Sequence, residues 1–331
     1  MEGRGTVARV PNKTFYNANE QVQLTAIPES GWSFSHWSDD YAGTNNPINI
    51  TINANKNITV HFTVYLEDLA SPTGDNRWLD VANQPYSAPY RDNFNYTQAT
   101  VSVTYDTQGT TLTGTLQAVN LKPHFVYQMK LVGTPGNITH KNITNEKIGL
   151  AGRWWQEEWN GVAWTNGQNL NNKGNGSSPN PNDQVYYSRC NITNSSSPTG
   201  LKYKFTGYLC FDYFITDGHG KATISFETGS CYHVLWKTAQ RTRVIDDGPL
   251  KTTTFTANTS SPAYDVNYSE QTITIFGEWE RLPMGNVPLS AGNYNAQLIL
   301  TEESFHGDGG QYAGNWAGAM ATTIQFITDE L

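Results

Sequence analysis

The longest regular alternation of apolar and polar positions runs from Tyr203 to Ile215. Tyr203, Phe205, Leu209, Phe211, Tyr213 and Ile215 alternate there with Lys204, Thr206, Tyr208, Cys210 and Asp212. A period of two predicts a long β-strand with one buried face. Thr216-Asp217-Gly218-His219-Gly220 follows, with the Asp-Gly chemistry that supplies positive φ angles. Ala222, Ile224 and Phe226 then alternate with Lys221, Thr223 and Glu227. The pattern predicts a hairpin from Tyr203 to Trp236, covered by other strands.

The same period marks further strands at Gly5–Val10, Gln21–Ile27, Ser33–Trp37, Ile48–Ile52 and Asn57–Phe62. After residue 94 it recurs at Ala99–Tyr105, Thr111–Val119, Phe125–Val132, Tyr232–Lys237, Gln271–Glu280, Gly292–Leu300 and Ala319–Ile327. Short strands separated by turns predict an all-β protein whose larger part, 94–331, is a β-sandwich. That part resembles Ig-like sandwiches of secreted proteins in architecture, through Leu121-Lys122-Pro123 and the later Ile215-Thr216-Asp217-Gly218. Residues 149–189 lack strand periodicity and are expected to form a long aromatic insertion; other long connections run over 241–269 and 302–316. Residues 65–93 are turn-rich but carry Trp78, Tyr86 and Tyr90, which predicts a packed connector rather than a free linker.

Residues 1–64 form a separate unit. Gly5-Thr6-Val7, Pro11-Asn12, Tyr16, Val22 to Ala26, Pro28, Gly31-Trp32-Ser33-Phe34, Trp37-Ser38, Gly43, Asn46-Pro47 and Asn55 to Phe62 run through nearly all of it. This segment closely resembles the divergent InlB-type B-repeat of bacterial and archaeal surface proteins. The resemblance implies a small β-grasp-like module used as a spacer or adhesive unit on the cell exterior, without catalysis. It also implies that Trp32, Phe34 and Trp37 are core positions. Members of that family usually begin with an apolar strand before the Gly-Thr-Val, where this sequence has only Met1 to Arg4. A truncated or processed start is one reading; a strand donated by another chain is the other, since an edge without its partner invites strand addition.

Composition narrows the class. Hydrophobic residues make up 37% and charged residues 15% of the 331, with a net charge of −8. That balance, with no Lys/Arg-rich run, argues against a nucleic-acid or anionic-membrane partner. No apolar stretch is long enough for a membrane-spanning helix. Met1–Arg4 leads straight into strand-like sequence without a signal-peptide pattern, so a secreted form would have lost its signal or be a fragment. Asn-X-Ser/Thr sequons begin at Asn12, Asn49, Asn57, Asn95, Asn137, Asn142, Asn175, Asn191, Asn194, Asn258 and Asn267. They read either as glycosylation sites of a surface protein or as the chance product of a chain rich in Asn and Thr. The cysteines are Cys190, Cys210 and Cys231, an odd number that leaves at least one thiol outside any intrachain disulfide.

Candidate chemistry is sparse. Trp154, Trp155, Trp159 and Trp164, with Gln156, Glu157, Glu158 and Asn160 beside them, offer indole faces for sugar rings and polar groups for hydroxyls. The competing reading is that these indoles pin the insertion onto the sandwich. Carboxylate pairs occur at Glu157/Glu158, Glu278/Glu280 and Glu302/Glu303. Glu278 and Glu280 would share a strand face about 7 Å apart, a separation glycoside hydrolysis can use, and one that exposed strand faces also present. Asp183, Asp217, Asp246, Asp247 and Asp308 lie in loop-like sequence that would suit a structural Ca²⁺, without the spacing of a known calcium loop. His124, His140, His219, His233 and His306 are scattered, with no zinc pattern. No nucleophile elbow, dinucleotide fingerprint, P-loop or haem-attachment motif is present, so no cofactor is expected beyond the Ca²⁺ candidates.

The expectation is therefore an extracellular structural or adhesive surface protein. It could serve as a filament or cell-envelope subunit assembled by strand exchange with copies of itself or other surface proteins. The alternatives are a carbohydrate-binding module using the Trp-rich segment and a polysaccharide-active enzyme using Glu278 and Glu280.

Overall fold

The computed structural model describes residues 1–69, 86–91, 94–133, 143–165, 167–170, 181–229, 231–235, 252–258, 263–279, 289–302 and 317–330. The first part holds β1 (Gly5–Val10), β2 (Glu20–Pro28), β3 (Ser33–Asp39), β4 (Ile48–Ile52) and β5 (Ile58–Tyr65). After it come β6 (Glu67–Asp68), a short α1 (Ala88–Arg91), β7 (Thr100–Tyr105), β8 (Gln108–Gly109), β9 (Thr113–Val119) and β10 (Val126–Val132). The aromatic segment contains α2 (Ile143–Ala151), β11 (Arg153–Glu158), β12 (Gln168–Asn169) and α3 (Pro181–Arg189). The chain continues with β13 (Tyr203–Ile215), β14 (Ala222–Glu227), β15 (Tyr232–Leu235), β16 (Thr252–Ala257), β17 (Gln271–Trp279), β18 (Gly292–Glu302) and β19 (Ala317–Thr328).

The fold is all-β in its sheets. In the first part β1, β2 and β4 form an antiparallel sheet that packs on the β3–β5 pair around Trp37, Val60, Phe62, Ile48 and Ile50. The module is built of strands alone, with no helix for its sheet to wrap. Trp37 is 1% exposed, and its indole N–H donates to the Asn45 carbonyl at 2.9 Å, so the buried ring leaves no polar atom unpaired. Asn46 continues the ladder with a side chain: its amide accepts from Ala26 N and donates to Ala26 O, at 2.8 and 2.9 Å.

Strand β5 then leaves the module without a break. Val64 and Tyr65 pair with Val103 and Ser102, which places β5 inside a five-stranded sheet of order β14-β9-β7-β5-β3. Facing it is the larger sheet β12-β11-β13-β10-β18-β19-β6, with β8 paired to β19. The sandwich core lies between them, from Val101, Val103, Leu116, Tyr127, Met129 and Leu300 among others. Trp32 packs against both this core and that of the first module, with its ring 4.8 Å from Tyr105. A smaller sheet β15-β17-β16 completes the described strands.

The expected hairpin does not form. β13 pairs with β10 and β11 in the large sheet, whereas β14 pairs with β9 in the other. The Asp217–Gly220 turn is a crossing between layers. Its closure is local, with Asp217 Oδ1 accepting from His219 N and Lys221 N at 2.8 and 2.9 Å. Its outward bonds go elsewhere: Leu121 N donates to Gly220 O at 3.0 Å, and His124 N to Asp217 O at 3.1 Å. Gly220, at φ +69°, approaches so closely that an added Cβ would lie 1.9 Å from Leu121 O.

A β-bulge also changes the expected face of β13. Opposite it, Met129 pairs with Asp212 and Lys130 with Cys210, which leaves Phe211 as the extra residue. Leu209 and Phe211 stay in the sandwich core, but beyond the bulge Phe214 takes the inner place. Tyr213 stacks instead on Tyr232 at 5.9 Å, and Ile215 is half-buried. The segment expected to lack strands also departs from its pattern, since β11 adds to the large sheet from Arg153↔Tyr208 to Glu158↔Tyr203.

Trp37→Ala removes the largest side chain of the first module's core and is expected to cost about 3–5 kcal/mol. Because β5 belongs to both sheets, hydrogen exchange should speed up in β7 as well as in β2 and β4. An effect confined to residues 1–57 would show that the ladder does not couple them.

Candidate functional site

The structure divides the four tryptophans of the aromatic segment. Trp154, on the inner face of β11, is fully buried and stacked on Tyr186 of α3 at 3.9 Å and 7°. Its indole N–H donates to Asp183 Oδ1 at 3.0 Å. Gly149 lies so close that an added Cβ would stand 2.3 Å from the indole. Trp154 is therefore a core residue that fastens α2 and α3 to the sheet, and Asp183 serves it as an acceptor. Burial raises the Tyr186 hydroxyl far above its ordinary pKa and raises the Cys190 thiol beside it, so both stay protonated.

Trp155, Glu157 and Trp159 alternate with Trp154 along the strand direction and face the other way. Trp159 and Trp164 pair across a short loop, with ring centroids 5.5 Å apart at 67°. Asn160 shapes that loop by accepting from Val162 N and Ala163 N at 3.0 and 2.9 Å. Val162 at its tip is 86% exposed. Lys204 Nζ lies 5.0 Å over the Trp164 ring and 2.7 Å from Glu157 Oε2. Trp159 Nε1 donates to Ser196 Oγ at 3.1 Å. Trp155 is half-buried against Gly167. The result is a half-exposed indole pair flanked by a lysine, a carboxylate and amide groups.

The carboxylates do not form a catalytic pair among the described residues. Glu157 and Glu158 make ion pairs with Lys204 and Lys202, the latter at 3.2 Å, across the β11–β13 ladder. Glu278 stands opposite His233 in β17, and Glu280 lies outside the described residues. Glu302 is buried in the sandwich, and Glu303 is outside the description.

Of the calcium candidates, Asp217 caps its own turn, and Asp246, Asp247 and Asp308 lie outside the described residues. Among the described residues no group of three or more His, Cys, Asp or Glu side chains is placed to hold a metal. Cys190, Cys210 and Cys231 are all buried, and no disulfide joins them. The sequon residues Asn12, Asn49, Asn57, Asn95, Asn191 and Asn267 are exposed, and Asn194 and Asn258 half-buried. Asn137, Asn142 and Asn175 fall outside the description.

A further group carries no local motif. His36 and His61, on neighbouring strands β3 and β5, stack at 4.1 Å and 4°. Ser38 Oγ lies 2.7 Å from His61 Nε2, and His61 Nδ1 lies 2.8 Å from Glu2 Oε2. Glu2, His36, His61, Thr63, Ser102 and Thr104 help line an open cleft of about 870 Å³ on the five-stranded sheet. Serine, imidazole and carboxylate are in hydrogen-bonded sequence, as nucleophile activation requires. The backbone around Ser38 is committed, however: Trp37 exchanges bonds with Gly43 on one side and Ser38 faces Thr59 on the other. The Trp37 N–H is therefore taken up and not open to an oxyanion, usually the largest catalytic contribution. The trio acts as a polar clasp that holds Glu2 beside β5, where Glu2 N donates to Val60 O at 3.0 Å and Glu2 O accepts from Phe62 N at 2.9 Å. Only the register of two strands 25 positions apart brings these histidines together.

These features define an all-β protein whose first part is a small strand-built module. Residues 1–65 match the family model for the divergent InlB B-repeat domain, a family typical of surface proteins. Comparison with curated proteins and with solved structures gave no match. No helix among the described residues is long and apolar enough to cross a membrane.

Partial burial and the neighbouring His61 lower the pKa of His36 below its ordinary value. The unfolded chain therefore binds the extra proton more readily, and stability falls as pH drops below about 6.5. An NMR titration should place the His36 midpoint below that of free histidine, and His36→Gln should flatten the acid limb of the stability curve. A midpoint at or above the free value would contradict this account of His36.

Proposed function

We propose that this protein is an extracellular structural or adhesive surface protein that assembles by strand addition at β1. The observation that carries this reading is the edge itself. β1 pairs with β2 alone, and no described strand covers its other side. Val10 on it and Ile27 on its partner are 62% and 48% exposed, large apolar side chains on a sheet margin. Arg9 is the only charge on the strand, a sparse guard against edge pairing. The B-repeat match and the exposed sequons support a place on the cell exterior, with copies of this chain or other surface proteins as partners.

Electron microscopy of the purified protein tests this. Ordered filaments or sheets are expected, and lysines placed on the edge by Thr6→Lys with Val10→Lys should disperse them while far-ultraviolet circular dichroism is unchanged. Dispersed particles in the wild type, or filaments that survive the lysines, would refute strand addition.

The Trp159–Trp164 pair favours a second reading, recognition of a glycan by the same surface protein. An aromatic face contributes about 0.5–1.5 kcal/mol, so Trp159→Ala is expected to weaken sugar binding by up to about tenfold. A glycan array without a saturable hit would remove this reading.

A further inference from the structure

Lys122 and Glu302 face each other inside the sandwich, each side chain 1% exposed, with Nζ 2.9 Å from Oε1. Lys122 lies in the connection that leaves β9 of one sheet, and Glu302 ends β18 of the other. The ammonium end sits in an aromatic box, 4.9 Å from the Phe125 ring and 5.8 Å from Phe94. Tyr96 donates its hydroxyl hydrogen to the same Glu302 Oε1. Because that proton is used, the Tyr96–Tyr127 contact at 3.0 Å has Tyr127 as the donor, while Tyr127 O accepts from Lys122 N at 3.1 Å. Burial, with the Glu302 charge next, raises both tyrosine hydroxyls well above their ordinary range, so each keeps its proton.

We propose that Lys122 and Glu302 condense into an intramolecular amide that joins the two sheets. A buried ion pair carries a large desolvation cost, and moving one proton from Nζ to the carboxylate converts it into a neutral amine and a carboxylic acid. The amine lone pair then attacks Cδ. The Nζ–Cδ bond forms, negative charge gathers on Oε1, and the Tyr96 hydroxyl is already aimed at that atom. The Cδ–Oε2 bond breaks, Oε2 leaves with the carboxyl proton and one Nζ proton as water, and one N–H remains on the amide. No oxidant, reductant or other reactant is needed. Orientation by the fold supplies an effective concentration of about 10⁵–10⁸ M. Phe94 also lines a surface cleft with Tyr90, Leu121 and Pro123, through which the product water can leave.

The test is the mass of the full chain, made in a host without N-glycosylation. Tryptic cleavage leaves Lys122 in peptide 92–130, because Pro123 blocks cleavage after it, and Glu302 in peptide 282–331. The expected result is an intact mass one water below that of the sequence, with the two peptides recovered as one branched species. Lys122→Arg, which keeps the cation but has no amine able to condense here, should restore the full mass. Tyr96→Phe should lower the linked fraction in freshly folded protein. A wild type at full mass with the peptides separate would overturn the proposal. Water loss that persists in Lys122→Arg would overturn it too, and an unchanged linked fraction in Tyr96→Phe would overturn the role given to that hydroxyl.

Discussion

Strand β5 has to satisfy two sets of neighbours along eight residues. Its residues Ile58 to Thr63 pair with β3 and close the Trp37 core; Val64 and Tyr65 pair with β7 and begin the sandwich sheet. A strand is straight over such a length, so its two halves cannot turn independently, and the module is fixed to the sandwich as one continuous sheet. Trp32 fills the junction, packed on both cores. Arg4 Nη2 donates to Gln325 O at 3.3 Å and ties the first residues to β19. The parallel bridge from Glu2 to His61 covers the stretch of β5 just before β7 takes over. A module joined in this way transmits orientation, whereas a flexible linker would lose it.

At the sandwich's far connections, order comes from one loop held from several sides. Residues 121–125 donate backbone N–H bonds to the Asp217–Gly220 crossing and to Thr216 Oγ1, and Tyr86 donates its hydroxyl to Pro123 O. That loop carries Lys122 to Glu302. Lys122 Nζ, Glu302 Oε1 and the Tyr96 and Tyr127 hydroxyls are linked there within an aromatic shell, and such an arrangement is costly to disturb because losing one partner would leave the other buried. Elsewhere β11, held between β12 and β13, must alternate its side chains, which puts Trp154 inside and Trp155 on the outer face.

Much of the fold was legible from period two alone, because alternation reports which face of a strand is buried. It does not report which strand lies alongside. The Tyr203–Phe226 stretch reads as a hairpin for that reason, while the bonds that decide otherwise run from Gly220 to Leu121 and from Asp217 to His124, far away in sequence. The bulge at Phe211 has the same origin: it is a mismatch with β10 and has no signature in β13. β11 was hidden because Trp154, Trp155 and Gln156 are all partly or fully covered, which erases the alternation. The B-repeat was legible because its small core repeats a fixed set of residues. The His36–His61 stack and the Lys122–Glu302 pair were not, since each depends on strand register between distant segments.

Residual dipolar couplings from backbone amides of the whole protein test the central claim, that β5 makes the module and the sandwich one rigid body. One alignment tensor should fit the amides of β1–β4 and those of β7, β9 and β14 together. Two tensors of different magnitude or direction would mean that the halves reorient independently, and the continuous ladder through Val64 and Tyr65 would be wrong.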